Sequence, residues 1–390
     1  MSERQLPTIL ILGTTQTLAW ASSYYLPAVL ADPIARDLGV SNTIMFGIFS
    51  VALLLSAFLG PRVGRQIDAV GGNGVLATSN LVLASGLILL GLAHGIAMLC
   101  AAWLLLGIGM ALGLYDSAFA ALTRIYGQSA RKAITGITLI AGFASTIGWP
   151  LTSWGAADIG WRNVCFAWAA GHIVLGLPMH LFLLQKAAAP AQIATANEKA
   201  HVPIDRTMIL LAFAFACAWV VTAAMAAHFP RIMEAAGASP AEAIAAGALI
   251  GPSQVAARLL EAGFLSRYHA LISARLATLT HPIGAAVIAV AGGGMAASAF
   301  AILHGAGNGI LTIARGTVPL ALFGPENYGY RLGLLGAPAR ILQAGAPLGF
   351  ALLIDRYGAG VLAVSSGLSI AALAALCLVS AAKQADPVSA

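Results

Sequence analysis

GWPLTSWGAAD at 148–158 and GAPLGFALLID at 345–355 are two copies of one pattern: a glycine, a proline two residues on with leucine after it, and an aspartate eight residues past the proline. Other pairs stand at nearly the same distance. Ala19-Trp20 recurs as Ala218-Trp219, Gly39-Val40-Ser41 as Gly237-Ala238-Ser239, and Gly107-Ile108-Gly109 as Gly305-Ala306-Gly307. Matches of small residues are cheap in a chain rich in Ala and Gly. Four at one offset of about 198 residues, two of them carrying Trp or Pro, mark a duplication, the internal symmetry on which many membrane carriers are built. The copies sit in an almost unbroken ladder of apolar, helix-length segments, so the chain reads as two homologous membrane halves.

Hydrophobic residues make up 59% of the chain and charged residues 9%, against roughly 25% charged in an average soluble protein. A water-soluble fold has too little interior to hide that much apolar surface, so lipid must cover it. The net charge of +6 does not point to nucleic acid, because the basic residues sit singly in short loops and at helix ends. Cys100, Cys165, Cys217 and Cys377 are far apart in apolar segments. They read as small buried hydrophobes, with no disulfide framework, metal site or cofactor. The histidines read as equally scattered. Residues 6–21 resemble a leader's apolar core, but the repeat pairs this segment with the one around Trp219, which makes it the first membrane helix.

Stretches of about 20 apolar residues, the length that crosses a bilayer core, fall at 8–30, 43–62, 75–94, 96–122, 133–155, 163–184, 207–229, 241–262, 271–291, 294–321, 332–353 and 358–381. Backbone amides inside lipid must bond within their own segment, and these runs are too long for barrel strands, so all are helices. With both termini in the cytoplasm, thirteen Lys and Arg lie inside and four (Arg36, Arg162, Arg231, Arg356) outside, a positive-inside bias that suits a bacterial-type inner membrane. The longest polar stretch, 185–206, is the linker between a first six-helix bundle (1–184) and a second (207–390).

With these features the chain resembles the major facilitator superfamily over nearly its whole length. After its second helix that family carries Gly-x3-Asp-x2-Gly followed by basic residues. Here Gly64, Arg65, Asp68 and Gly71 match, while Ala69, Gly72 and Asn73 stand where bases are usual. A degenerate copy, Ala257-Arg258-Leu259-Leu260-Glu261, ends the eighth helix, and Gly160-Trp161-Arg162 opens the sixth. The fourth helix has Leu104 where many members carry Arg, and the fifth has Gly148-Trp149-Pro150 where drug antiporters show Gly-Pro. The resemblance implies an all-α membrane fold of twelve helices in two pseudo-symmetric bundles, a functional monomer, and a cavity lined by helices one, four, seven and ten with two, five, eight and eleven beside them. Within the family it extends to organic-anion carriers of the monocarboxylate and oxalate–formate type, which commonly hold substrate carboxylates with basic residues.

Ionisable groups inside a membrane are costly, so those deep on these helices are the functional candidates. Arg340 lies eight residues into its span, about 12 Å deep at 1.5 Å per residue. Its guanidinium needs a carboxylate, from substrate or from Asp116 or Glu261; Gln343 shares its helix. His304, Asn308, Thr312 and Arg315 fall on one face of helix ten. Asp116, next to Tyr115, lies beside the repeat counterpart of Arg315; with His304 it is a candidate for proton coupling, a gate or structural salt bridge being the alternative. Trp20 and Trp219 hold equivalent mid-membrane positions and, with Tyr24, Gln16 and Thr222, line the cavity or simply pack. Gln254 is a possible substrate contact; Arg258 and Glu261, aligned with Arg65 and Asp68, read as a charge network closing one face. Pro150 and Pro347 are expected to kink helices five and eleven alike.

The sequence therefore predicts a secondary transporter, not an enzyme: no nucleotide-binding loop, metal cluster or Ser-His-Asp set is present. Arginines within spans (Arg258, Arg315, Arg340) favour a small organic anion such as a mono- or dicarboxylate, moved with protons or against another anion. The alternative is a proton-driven exporter of hydrophobic or cationic compounds centred on Asp116.

Overall fold

The first predicted span is not one helix but two, because Ser22 and Ser23 turn their hydroxyls back onto the Leu18 and Ala19 carbonyls and Pro27 restarts the chain. Proline suits that place, where a first-turn N–H would have no helical partner. In the computed structural model, residues 5–184 and 202–380 are described, and they are helical throughout, with no strand. The N-terminal segment holds α1 (Leu6–Ser22), α2 (Pro27–Leu38), α3 (Asn42–Val70), α4 (Gly72–Gly91), α5 (Ile96–Gly113), α6 (Tyr115–Tyr126), α7 (Ala130–Ala141), α8 (Ala144–Asp158) and α9 (Trp161–Gly171), which runs on through two π turns, His172–Gly176 and Met179–Leu183. The rest holds α10 (Arg206–Ala235), α11 (Pro240–Ala248), α12 (Ile250–Gly263), α13 (Ala270–Ala291), α14 (Gly293–Phe323), α15 (Tyr328–Tyr357) and α16 (Val361–Leu378). The expected linker falls outside the described residues up to 201. Its last residues cap α10, where Asp205 accepts the Met208 N–H at 2.8 Å.

Nine helical runs among the described residues are long and apolar enough to cross a membrane, and this is an integral membrane protein. Large apolar side chains such as Phe182, Val290 and Met295 stand 79%, 90% and 91% exposed, where lipid covers them. Four expected spans are interrupted: the first at 23–26, the fourth at Leu114, the fifth at Gly142-Phe143 and the eighth at Leu249. The matched prolines do not give matched breaks. Pro150 lies within α8, past the interruption of its span, while Pro347 lies within an unbroken α15.

The chain groups into two compact units. One comprises residues 1–203 with 325–349, the other 204–324 with 350–390. The first is cored by Leu30, Ile34, Met45, Leu83, Leu87 and Trp103, the second by Phe229, Ile232, Met233, Phe300 and Val361. The duplication is visible in their packing. A methyl group added to Gly107 would sit 2.6 Å from the Ala52 carbonyl oxygen, and one added to Gly305 would sit 2.6 Å from that of Ile250. In both pairs the second copy follows the first by 198 residues (305 − 107 and 250 − 52). Glycine here lets two helix backbones touch.

In the first unit Asp37 takes the guanidinium of Arg162 and the Trp161 Nε1–H (3.2 Å), and Arg162 also donates to the Ala93 carbonyl at 2.7 Å. Hydrogen bonding to Arg162 holds the Asp37 carboxyl below its usual range.

Two predictions follow from this packing. Gly107→Ala and Gly305→Ala should each lower thermal stability in detergent by about 1–3 kcal/mol, whereas Gly47→Ala, which meets open space, should not. Asp37 has a depressed folded-state pKa, so its contribution is present above the unfolded value of about 4 and is lost as pH falls through the folded one. The Tm difference between wild type and Asp37→Asn should be largest near neutral pH and vanish in acid.

Candidate functional site

The interruption at Leu114 builds the site. Leu114 is extended (φ −82°, ψ −173°), so α5 ends at Gly113 and α6 begins afresh at Tyr115. Carbonyls freed by a break in lipid need new donors. The Gln16 side chain gives one to the Gly113 oxygen at 2.6 Å, and the Ser117 hydroxyl gives one to Ala111 at 2.8 Å. Asp116 therefore does not lie inside a continuous helix four, as the sequence suggested, but in the first turn of a new helix. There the helix dipole favours a carboxylate.

Asp116 Oδ2 receives Arg340 Nη2, from α15. Both side chains are nearly closed off, 11% and 15% exposed. The partner expected for Arg340 is thus found, and of the two acids weighed it is Asp116 that pairs with it. Among the described residues the second arm of Arg340, Nη1, is buried without a hydrogen-bond partner. It lies against Gly60 of α3, where a methyl would approach it to 3.1 Å.

An aromatic wall stands in the same unit. Trp20 meets Tyr115 at 5.0 Å between ring centres and Tyr24 at 5.1 Å, and Tyr115 stacks on Phe119 at 5.3 Å. Gln343 Nε2 donates to the Tyr24 hydroxyl at 2.6 Å, and Trp20 Nε1 is buried without a partner. Trp20, Tyr24, Tyr115, Asp116, Arg340 and Gln343 all belong to the first unit, with two unsatisfied donors, Arg340 Nη1 and Trp20 Nε1, among them. Such a group can orient an acceptor-rich anion, with ring faces beside it.

The loop signature lies in that unit too. Asp68 accepts the first-turn N–H groups of α15 from Gly329 and Tyr330, both at 2.8 Å, and the Arg65 guanidinium stacks over the Tyr330 ring at 4.1 Å. Gly64 faces the Gly329 backbone.

The second unit separates the residues expected on one face of helix ten. Arg315 lies over the Trp219 ring at 5.4 Å, and Asn308 accepts from Thr222 at 3.0 Å, so these face α10. Thr312 bonds back to the Asn308 carbonyl. His304 turns to α13, where its Nδ1 meets Nδ1 of His281 at 3.0 Å. On α12, Arg258 and Glu261 are buried, and Arg258 reaches Gln254 at 3.4 Å.

Four of the histidines, expected to be scattered, come together in two pairs, and the sequence reading missed both. Besides His281 and His304, the π turns that end the sixth span bring His172 and His180 onto one residue, Asn80. His172 Nδ1 lies 2.9 Å from Asn80 Oδ1, and Asn80 Nδ2 lies 2.8 Å from His180 Nδ1. The chain ends on Ser22 (2.8 Å from His172) and Thr15 (2.9 Å from His180). On a regular helix, residues eight apart diverge by about 80°; the wider π turn removes the divergence. The available signal was polar residues on helices three, six, nine and twelve, which the cavity rule set aside. Among the described residues no group of three or more His, Cys, Asp or Glu could hold a metal ion.

Gln16→Leu would leave the Gly113 carbonyl unsatisfied in an apolar setting. It should cost about 1–3 kcal/mol of stability, readable as a lower Tm.

Three comparisons place the chain. The family model described as Major Facilitator Superfamily matches residues 12–342, and the chain belongs to that superfamily. No curated protein sequence matches it. Its fold is similar to the human organic anion transporter MFSD10 (TETRAN), with TM-score 0.72, 16% identity, and 96% of this chain and 100% of that one covered. It is also similar to a variant of the E. coli fucose:proton symporter FucP, with TM-score 0.72, 13% identity and coverage of 95% and 98%. FucP in the outward conformation aligns with TM-score 0.71 at the same identity and coverage. At these identities the likeness carries the fold alone, and the family match is what places the chain among the superfamily's transporters.

Proposed function

We propose that this superfamily member carries a small organic anion, a mono- or dicarboxylate, by alternating access between six-helix halves at 1–184 and 207–390 joined by 185–206. The observation that carries the reading is Arg340, with one arm on Asp116 and the other without a partner beside the ring wall of Trp20, Tyr24 and Tyr115. A substrate carboxylate can take the free arm and then compete for the whole fork, since a guanidinium binds a carboxylate through two parallel hydrogen bonds. Gln343 and Tyr24 offer further polar contacts, and Trp20 Nε1 a donor. The organic anion transporter among the structural neighbours shares the fold; the arginine, not the likeness, supports the anion.

Coupling follows from the same pair. When substrate draws Arg340 away, the buried Asp116 loses the cation that offsets its charge, which is costly, and a proton from the open side of the cycle offsets that loss. Exchange against a second anion needs Arg340 alone and is the other form of the same reading. Arg65 and Asp68 at the start of α15, with Arg258 and Glu261 on α12, serve as gate and scaffold. The carrier works as a monomer in a bacterial-type inner membrane with both termini cytoplasmic. Gln254, Asn308, Arg315 and Trp219 are the second half's candidate contacts.

The test is a thermal-shift screen of detergent-purified wild type, Arg340→Ala, and the double variant Arg340→Ala/Asp116→Asn, which removes both charges. One panel holds small carboxylates and other organic anions, the other lipophilic cations. A ligand at about a hundred times its Kd stabilises the folded state by about 2.7 kcal/mol. An anion should shift the wild type and neither variant. Stabilisation by cations alone, unchanged in Arg340→Ala, contradicts the reading and favours an exporter centred on Asp116.

A further inference from the structure

The second unit contains a small cavity of about 20 Å³, lined in part by Thr222, Thr278, Thr280, His281, His304 and Asn308. That volume holds one water. The hydrogen bonds around it run in one direction. Ser365 donates its hydroxyl hydrogen to the Leu362 carbonyl at 3.1 Å, so it accepts from His281 Nε2 at 2.9 Å. With the hydrogen of His281 on Nε2, its Nδ1 is an acceptor, and the facing Nδ1 of His304, 3.0 Å away, must carry the hydrogen. These tautomers are assigned from the bonding pattern. They leave His304 Nε2 as the acceptor nitrogen of its ring, on a side chain 5% exposed that lines the cavity.

The rest of the wall offers both kinds of group: threonine oxygens that can accept, and the Asn308 amide and Ser369 hydroxyl that can give. Thr278 donates to the Ala274 carbonyl at 3.0 Å and Thr280 to Ala277 at 2.8 Å, while the single hydroxyl hydrogen of Thr222 is shared between the Ala218 carbonyl and Asn308 Oδ1, both at 3.0 Å. Their oxygens keep lone pairs for a guest. Phe300 stacks on His304 (5.8 Å, 13°) and meets His281 edge-on (5.1 Å), and a ring face favours a cation beside it.

We propose that His281 and His304 form a proton-binding site in the second unit, taking one proton from water at His304 Nε2. On uptake the N–H bond forms at Nε2 while the Nδ1–H of His304 stays bonded to His281, so the imidazolium has both hydrogens directed, one to His281 and one to the cavity water. Release reverses the step. The charged or titratable groups on the helices packed around the pair are Arg206, Cys217, His228, Arg231 and Glu234 on α10, Glu242 on α11, Arg258 and Glu261 on α12, Arg275 on α13, Arg315 on α14 and Cys377 on α16. None of them lines the cavity. The use of the site in transport rests on the reading of a proton-coupled carrier; the protonation itself does not.

The experiment is nitrogen NMR of protein labelled with 15N-histidine, in detergent and without any organic ligand, over the interval in which imidazoles titrate, about pH 5 to 8. Spectra of His281→Gln and His304→Gln assign the two rings, with His172→Gln as a control in the first unit. The wild type should show two coupled rings that share one titration step, with the uncharged state carrying hydrogen on Nδ1 of His304 and on Nε2 of His281. His304→Gln should abolish the step, and His281→Gln should move its midpoint by at least half a pH unit, about 0.7 kcal/mol. Should either variant fail to fold, the wild-type tautomers and step decide alone. Two rings unchanged across the interval, or the opposite tautomers, overturn the proposal. A sodium-dependent shift of these signals with no pH response also overturns it, in favour of a metal cation. Anion binding is read in the separate screen, so either proposal can fail without the other.

Discussion

Two opposite charges held together away from water set the terms for the first unit. Neither Arg340 nor Asp116 is tolerable there alone, since removing one partner of a buried pair leaves the other uncompensated at a cost of several kcal/mol. The pair therefore fixes what surrounds it. Asp116 has to be presented by the start of a helix, and the chain achieves this by breaking the fourth span at Leu114. Arg340 has to come from α15, and residues 325–349 group with the first unit, held also by Asp68 on the first turn of α15 and by Gln343 on Tyr24. On the proposed reading, what displaces Asp116 brings its own negative charge, so the structural constraint would act as a selectivity rule.

The interruptions are the second theme. A backbone break inside lipid is tolerated where side chains replace the lost bonds. Gln16 does so for Gly113, and Ser22 and Ser23 spend their hydroxyls on carbonyls near the end of α1. The π turns at the end of the sixth span act differently, keeping backbone bonds while rotating His172 and His180 onto Asn80. The halves share their close backbone contacts, at Gly107 and Gly305, but not these interruptions.

Much of this was legible in the sequence because it depends on composition and spacing. The duplication and the loop signature survive contact with the fold, as do the spans other than the four that are interrupted, and Arg340 announced a need for a carboxylate simply by its depth. What could not be read depends on backbone departures. A period of 3.6 residues placed His304, Asn308 and Arg315 on one face, and they do point away from apolar lipid, but toward two different neighbours, α13 and α10. Leu114 carries no glycine or proline of its own to announce a break; Gly113 before it is one of many glycines in the helices. The histidine pairs were invisible for a plainer reason. His281 and His304 are 23 residues apart in the chain, and only the antiparallel packing of α13 on α14 brings them together.

The central claim is that substrate anion and Asp116 compete for one guanidinium, and the most direct measurement is the number of protons taken up per anion bound. Calorimetry of a stabilising anion near neutral pH, in two buffers of different ionisation enthalpy, gives that number. The account predicts uptake close to one proton per anion in the wild type and none through this route in Asp116→Asn. Tight anion binding with the same proton count in both proteins would contradict it.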